Sequence, residues 1–242
     1  MSEPIQLMVV DLSHYDEGVD YKKLASAGIV GVIYKATQGT GYQDPTYKNA
    51  KAAALQAKLC WGSYHFGDSS DVQAQADNYL NTALPDWNEL ICLDYEDNGA
   101  STMTVEQAAQ FVLLVEGELN RDNEMVLYSG NLIKESLGDR VSAFWAARRL
   151  WLAQYSTTPV VQASWSTYWL WQYSGDGDGP QPHTVNGCNG PVDCNSFAGT
   201  VGELVEQWPS GIVSPVPPPP PAINVTVIAP PTVNIIVKQT LT

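Results

Sequence analysis

Two carboxylates one residue apart, Asp94 and Glu96, stand near the end of the stretch 89–98. An apolar run of strand type leads into them, and in a strand residues i and i+2 project to one face. A strand that reaches Glu96 therefore sends both acids into one space. Like charges so close cannot both ionise comfortably, so one pKa rises. A general acid then stands beside an ionised carboxylate at neutral pH. A bare Asp-x-Glu is also a common solvated strand end, so the surrounding chain has to decide.

The elements that would position the pair alternate. Strand patterns cover residues 6–12, 30–36, 59–66, 90–96 and 124–128, then 150–155 and 168–173, with a last extended segment at 191–197. Helix patterns fall between them. Asp20 caps a short helix over 21–27 that Gly28 closes, Asp44-Pro45 opens one running to residue 58, and 71–84 is amphipathic. Thr104 and Gln107 form a capping-box pattern before a helix to about residue 120, with shorter helices at 130–137 and 201–208. Strands alternating with helices imply a parallel sheet with right-handed crossovers. The fold class is α/β: an irregular TIM-like barrel of about eight strands, with few helices in the second half. Such barrels gather their site at the C-terminal strand ends. Asp11, Asp94 and Glu96 arrive there, as do His65, Tyr128, Tyr155 and Gln172.

With 242 residues and 44% hydrophobic content, the chain can bury a sizeable core. A formal charge of −14 argues against nucleic acid or an anionic membrane surface as partner, and no window is long and apolar enough for a membrane span. The start, Met-Ser-Glu-Pro, lacks signal-peptide character, so synthesis in the cytoplasm is expected. None of Cys60, Cys92, Cys188 and Cys194 forms a Cys-x-x-Cys pair, so neither a structural zinc site nor any other metal or cofactor is expected. Cys188 and Cys194 flank a Gly-Pro loop and are left open between a local disulfide and free thiols. The domain organisation is a catalytic barrel over 1–211, a stiff proline-rich linker over 212–222 and a tail over 223–242. Two short strand patterns in the tail cannot make a stable domain, which leaves disorder, self-association or an unknown tail partner.

Six segments in order resemble glycoside hydrolase family 25, the muramidases often called Chalaropsis-type lysozymes. They are Asp-Leu-Ser at 11–13 with Gly18 and Asp20, Lys-Ala-Thr-Gln-Gly at 35–39, and Gly-Ser-Tyr-His-Phe at 62–66. Leu-Asp-Tyr-Glu at 93–96, Trp-Gln-Tyr at 171–173 and Val-Asp-Cys-Asn at 192–195 follow. One position departs: Gln38 stands where the family usually has Glu. The chitinase pattern D-x-x-D-x-D-x-E, aligned on Glu96, would need Asp where the chain has Glu89 and Cys92.

The resemblance implies cleavage of the β-1,4 bond between N-acetylmuramic acid and N-acetylglucosamine in bacterial peptidoglycan. Net retention would come from the substrate's own acetamido group, an exception to the two-carboxylate scheme. Glu96 would be the general acid and Asp94 the stabiliser of the acetamido group, with Asp11 and Asp193 as supporting acids. Asp11 is also a natural turn cap, and Asp193 lies near the cysteine loop. Tyr64, His65, Tyr128, Trp171, Gln172 and Tyr173 are the candidate substrate-binding residues. Strand alternation forbids Tyr64 and His65, or Trp171 and Gln172, from all facing the lumen. The setting implied is a phage endolysin or virion-associated lysin, released from the host cytoplasm to the cell wall by a holin-type route.

Overall fold

The computed structural model describes residues 5–208; the expected linker and tail lie outside them. The described strands are β1 (Val9–Leu12), β2 (Gly31–Gln38), β3 (Tyr42–Gln43), β4 (Cys60–Phe66), β5 (Leu90–Asp94), β6 (Val126–Ser129), β7 (Leu150–Ala153), β8 (Leu170–Ser174) and β9 (Asp193–Phe197). The sheet runs β1-β9-β8-β7-β6-β5-β4-β2, and a β1–β2 pairing closes these strands into a barrel. β3 is a short antiparallel flap on β2.

All pairings from β1 through β2, β4, β5, β6 and β7 to β8 are parallel, whereas β9 runs antiparallel to both β1 and β8. An all-parallel sheet, as the alternation of strands and helices implies, is therefore corrected at its last strand. No crossover helix intervenes between β8 and β9 to carry the chain back to the other end of the barrel. The reversal matters for the site. The first residue of β9, Asp193, enters at the same end where the other strands finish, in register with Asp11.

The helices are α1 (Tyr21–Ser26), α2 (Tyr47–Gln56), α3 (Val72–Ala83), α4 (Val105–Leu119), α5 (Asn131–Leu137), α6 (Ala143–Ala146) and α7 (Val201–Gln207). Their starts are chemically marked. Asp20 accepts from Lys23 N at 3.1 Å and Asp71 from Ala74 N at 2.8 Å. Thr104 and Gln107 form the reciprocal capping box, as do Thr200 and Glu203. Asp44 does not cap α2, whose N-cap is Thr46. Its carboxylate instead accepts from Thr46 N at 2.9 Å and from His14 N at 3.0 Å, tying the loop after β1 to the start of α2.

Period-two alternation splits the buried side chains into two layers. Val10, Val32, Trp61, Ile91 and Leu93 face outward against helices carrying Tyr47, Tyr79 and Phe111. Val9, Ile33, Leu90, Cys92 and Leu170 fill the interior. Each fully buried Leu or Ile contributes about 2 kcal/mol. At the base, the Trp208 ring occupies the space that a Cβ on residue 31 would need, so Gly31 is required there for close approach. Trp208 Nε1 also donates to Trp61 O at 2.8 Å. Cys188 and Cys194 are both free thiols; the parity of β9 turns Cys194 outward, where Sγ donates to Val192 O. No helix among the described residues is long and apolar enough to cross a membrane.

Candidate active site

β5 ends at Asp94, two residues earlier than the sequence pattern implies. The alternation nevertheless continues. Tyr95 N donates to Tyr128 O at 2.9 Å, and the Tyr95 ring is buried outward with its hydroxyl 2.9 Å from Ser136 Oγ. Glu96 thus returns to the side of Asp94. Both acids line a cavity of about 510 Å³ at the C-terminal end of the parallel strands, with Asp11 from β1 and Asp193 from β9. Lys35, Tyr64, Tyr128, Asp16 and Asp176 also line it. Among the described residues, Lys35 is the one cation lining it.

A buried amide network supports this floor. Gln172 Nε2 donates to both Asp11 oxygens at 3.0 Å and to Asp193 Oδ2 at 3.3 Å. Its Oε1 accepts from the Tyr128 hydroxyl at 2.7 Å and the Tyr155 hydroxyl at 3.0 Å. Asn195 Nδ2 donates to Asp11 Oδ2 at 2.7 Å while its Oδ1 accepts from Trp151 Nε1 at 2.6 Å. Asp94 differs: its Oδ1 is buried without a hydrogen-bond partner. An acceptor left open in a cavity wall is positioned for a donor that arrives with a ligand.

Burial raises all four carboxyls above the ordinary range. For Asp94 burial is the largest cause and the Glu96 charge the next, with Lys35 pulling the other way. For Glu96 burial leads and Asp193 follows. Asp11 is raised by burial and then by Asp193, against the donors Asn195 and Gln172. Asp193 is pushed up to about 6, chiefly by burial. Burial also lowers Lys35, whose ammonium donates to Gln38 Oε1 at 2.8 Å and lies 5.0 Å from the centre of the Phe66 ring. Four raised acids facing one ammonium hold their protons more tightly than free carboxyls, which favours an acid and a carboxylate coexisting.

The structure divides the sequence candidates. Asp11, Asp94, Glu96, Asp193, Tyr64 and Tyr128 meet in the cavity. His65 does not: it faces outward, fully buried, stacked on Phe111 at 4.6 Å between centroids. Its Nε2–H donates to Gln75 Oε1 at 3.1 Å, its Nδ1 pairs with Thr37 Oγ1 at 2.7 Å, and burial lowers its pKa to about 4. Trp171 and Tyr173 are corrected in the same way, because their parity on β8 sends them into the outer layer. Trp171 Nε1 donates to Gln154 O at 2.8 Å, and the Tyr173 hydroxyl donates to Pro182 O at 3.1 Å. Gln172 faces inward but is only 1% exposed, so it holds side chains rather than substrate. Lys35 and Asn195 are the residues that reading the sequence missed. Asn195 lies two residues from the candidate Asp193, so parity would have found it, whereas Lys35 follows the apolar Ile33, whose face only the closed barrel reveals. Among the described residues no group of His, Cys and acids has the arrangement of a metal centre.

Glu96 lies where two cavities meet. A second hollow of about 340 Å³ shares Glu96 and adds Asp97, Asn131, Leu132 and Tyr155. A third of about 390 Å³ joins the first from the other side through Tyr15, Asp16 and Pro191. The cavity holding the acids thus shares lining residues with both neighbouring hollows.

Known proteins share this fold. The model for Glycosyl hydrolases family 25 matches residues 10–181. Lysozyme M1 of Streptomyces globisporus is 27% identical over 216 residues, covering 81% of this chain and 69% of that protein. The bacterial lysozyme from Streptomyces coelicolor superposes with a TM-score of 0.74 at 26% identity, covering 86% of this chain and 99% of that one. The muramidase from Trichobolus zukalii gives 0.71 at 27% identity, with 84% and 99% covered. The family match stops before Asp193, whose place in the site rests on the reversed β9.

Proposed function

Because this chain belongs to glycosyl hydrolase family 25, we propose that it is a peptidoglycan muramidase cutting the β-1,4 bond between N-acetylmuramic acid and N-acetylglucosamine. The observation that carries the reading is the pairing of Glu96, at the junction of two cavities, with Asp94, whose Oδ1 is unpartnered. An acid at such a junction sits beside the bond that joins the sugars on either side.

The chemistry follows from these positions. Glu96 gives its proton to the glycosidic oxygen as the C1–O bond breaks. The carbonyl oxygen of the 2-acetamido group attacks C1 from the opposite face, forming an oxazolinium ion. Asp94 Oδ1 accepts the acetamido N–H, and its charge offsets the cation. In the empty site burial keeps Asp94 hard to ionise. The incoming N–H, the developing positive charge and the nearby Lys35 all favour its carboxylate, which leaves the proton on Glu96. Water then adds to C1 with Glu96 as base, the acetamido group re-forms and the configuration is retained. Asp11 and Asp193 add negative potential under the cationic transition state.

Digestion of purified cell walls tests the reading, with Glu96→Gln as control. New reducing ends on muramic acid support it; reducing ends on glucosamine, or freed amino groups, reject it. Proton NMR of the first product anomer tests retention. The biological setting we propose is a phage lysin, from the family resemblance. Lysis of a host expressing the chain only when a holin is co-expressed supports that setting; lysis indifferent to the holin counts against it.

A further inference from the structure

Glu96 lines both the main cavity and the hollow of about 340 Å³ beside it. Among the described residues, Tyr155 is the one aromatic side chain lining that hollow. It stands two positions after Ala153, the last residue of β7, and both line the hollow. Tyr155 is 47% exposed, yet its tip is fixed. The hydroxyl donates to Gln172 Oε1 at 3.0 Å, and the amide presents that oxygen because its Nε2 is held by both Asp11 oxygens. A Cβ on residue 175 would fall on the Tyr155 hydroxyl and ring, so Gly175 is what lets the tyrosine lie there.

A tyrosine whose proton is spent on the protein has its ring face left to offer. An exposed ring held at its tip has already lost the freedom that binding would otherwise cost. The rest of the wall is mixed: Leu132 is apolar, and Asp97 and Asn131 are exposed polar side chains. A pyranose matches that mixture, with C–H groups on its faces and hydroxyls along its edge. In the proposed reaction the sugar whose acetamido group meets Asp94 lies in the main cavity. The unit joined to it through the oxygen that Glu96 protonates then lies in the hollow. We propose that Tyr155 is a substrate-binding residue, its ring the platform on which the N-acetylglucosamine on the leaving side of the bond packs. Which side it serves rests on the proposed function; that a sugar packs on the ring does not.

Tyr155→Ala removes the ring, and Tyr155→Phe only its tether. On cell-wall glycan Tyr155→Ala should lose roughly tenfold in kcat/KM, the worth of one aromatic contact, while Tyr155→Phe stays within about threefold of wild type. A chitooligosaccharide β-fluoride places no sugar in the hollow, and on it Tyr155→Ala should match wild type. Gly175→Ala, which crowds the ring from outside the hollow, should follow Tyr155→Ala on both substrates and serves if Tyr155→Ala does not fold. An equal loss on glycan and fluoride, unchanged activity on glycan, or a Tyr155→Phe as slow as Tyr155→Ala overturns the inference. A wild-type protein inactive on glycan would instead reject the muramidase reading, and N,N′-diacetylchitobiose then decides the role of Tyr155. In NMR of tyrosine-labelled protein that disaccharide should shift the Tyr155 ring signals, and its Kd should rise roughly tenfold in Tyr155→Ala. Tyr155 signals that stay in place overturn the inference whatever the activity.

Discussion

Lys35 Nζ donates to the amide oxygen of Gln38 at 2.8 Å, so the only cation lining the main cavity among the described residues has a neutral partner. Its charge is left to act on Asp94, which it pulls downward against burial. The family resemblance puts Glu at position 38, and Gln38→Glu would give Lys35 an ion-pair partner. Asp94 would then ionise less readily, and because the mechanism needs its carboxylate, the acid limb of kcat/KM should move to higher pH by about half a unit. Lys35→Met should move it further in the same direction, by about one unit, with roughly tenfold lower activity at pH 5. A pH–rate profile on soluble glycan reads both. An acid limb unmoved in Lys35→Met means that Lys35 does not govern Asp94.

The division of labour between Asp94 and Glu96 predicts a split by leaving group. Glu96→Gln should lose about 10²- to 10⁴-fold in kcat on cell-wall glycan, the size of a general-acid contribution. A chitooligosaccharide with a nitrophenyl leaving group needs little protonation, so Glu96→Gln should recover most of its rate on it. Asp94→Asn should be slow on both, since it acts at the acetamido group rather than the departing oxygen. Equal recovery by both variants would remove the distinction between them.

Much of this site was legible in the sequence, and the part that was not has a physical cause. Alternation placed Asp94 and Glu96 on one face, although β5 ends at Asp94. Capping residues placed α1 and α4 because a cap is local chemistry. The phase of β4 and β8 was not readable. In a barrel both faces of a strand are covered, outside by helices and inside by the core, so apolar residues mark neither side. Trp171 beside Gln172 and His65 beside Tyr64 therefore look equivalent until closure sets the register. The reversal of β9 left no local trace either. It depends on the path of 175–192, whereas a crossover helix would have announced a parallel strand.

Asn195 joins two strands beneath the acids and should matter more for stability than its distance from the cavity suggests. It donates to Asp11 Oδ2 at 2.7 Å and accepts from Trp151 Nε1 at 2.6 Å, fully buried. Asn195→Leu would leave the Trp151 N–H without its acceptor and Asp11 with Gln172 as its remaining side-chain donor. A buried group left unpaired costs about 1–3 kcal/mol, so Tm should fall by roughly 5–10 °C. Calorimetry at pH 6 checks this. A Tm within 2 °C of wild type, by the same roughly calibrated scale, would show the network to be dispensable for folding.

The raised carboxyls make their contribution to stability fall as pH rises above the ordinary carboxylate range. A carboxyl whose folded pKa lies above its unfolded value binds its proton more tightly in the folded state, so stability declines between the two values. For Asp193 that window runs from its ordinary 3.8 to about 6; for Asp11, Asp94 and Glu96 the direction is the same. The opposite trend, from the lowered carboxyls Asp20, Asp44, Asp97 and Glu203, is complete below about pH 5. His65, lowered to about 4, also adds stability as pH rises towards 6.5, against the cavity acids. Asp193→Asn leaves that contribution in place and removes one of the four cavity titrations, so from pH 5 to pH 8 its Tm should fall less, or rise more, than that of wild type, by roughly 2–4 °C. Equal pH dependence in the two proteins would mean that the cavity is wet enough to ionise Asp193 freely.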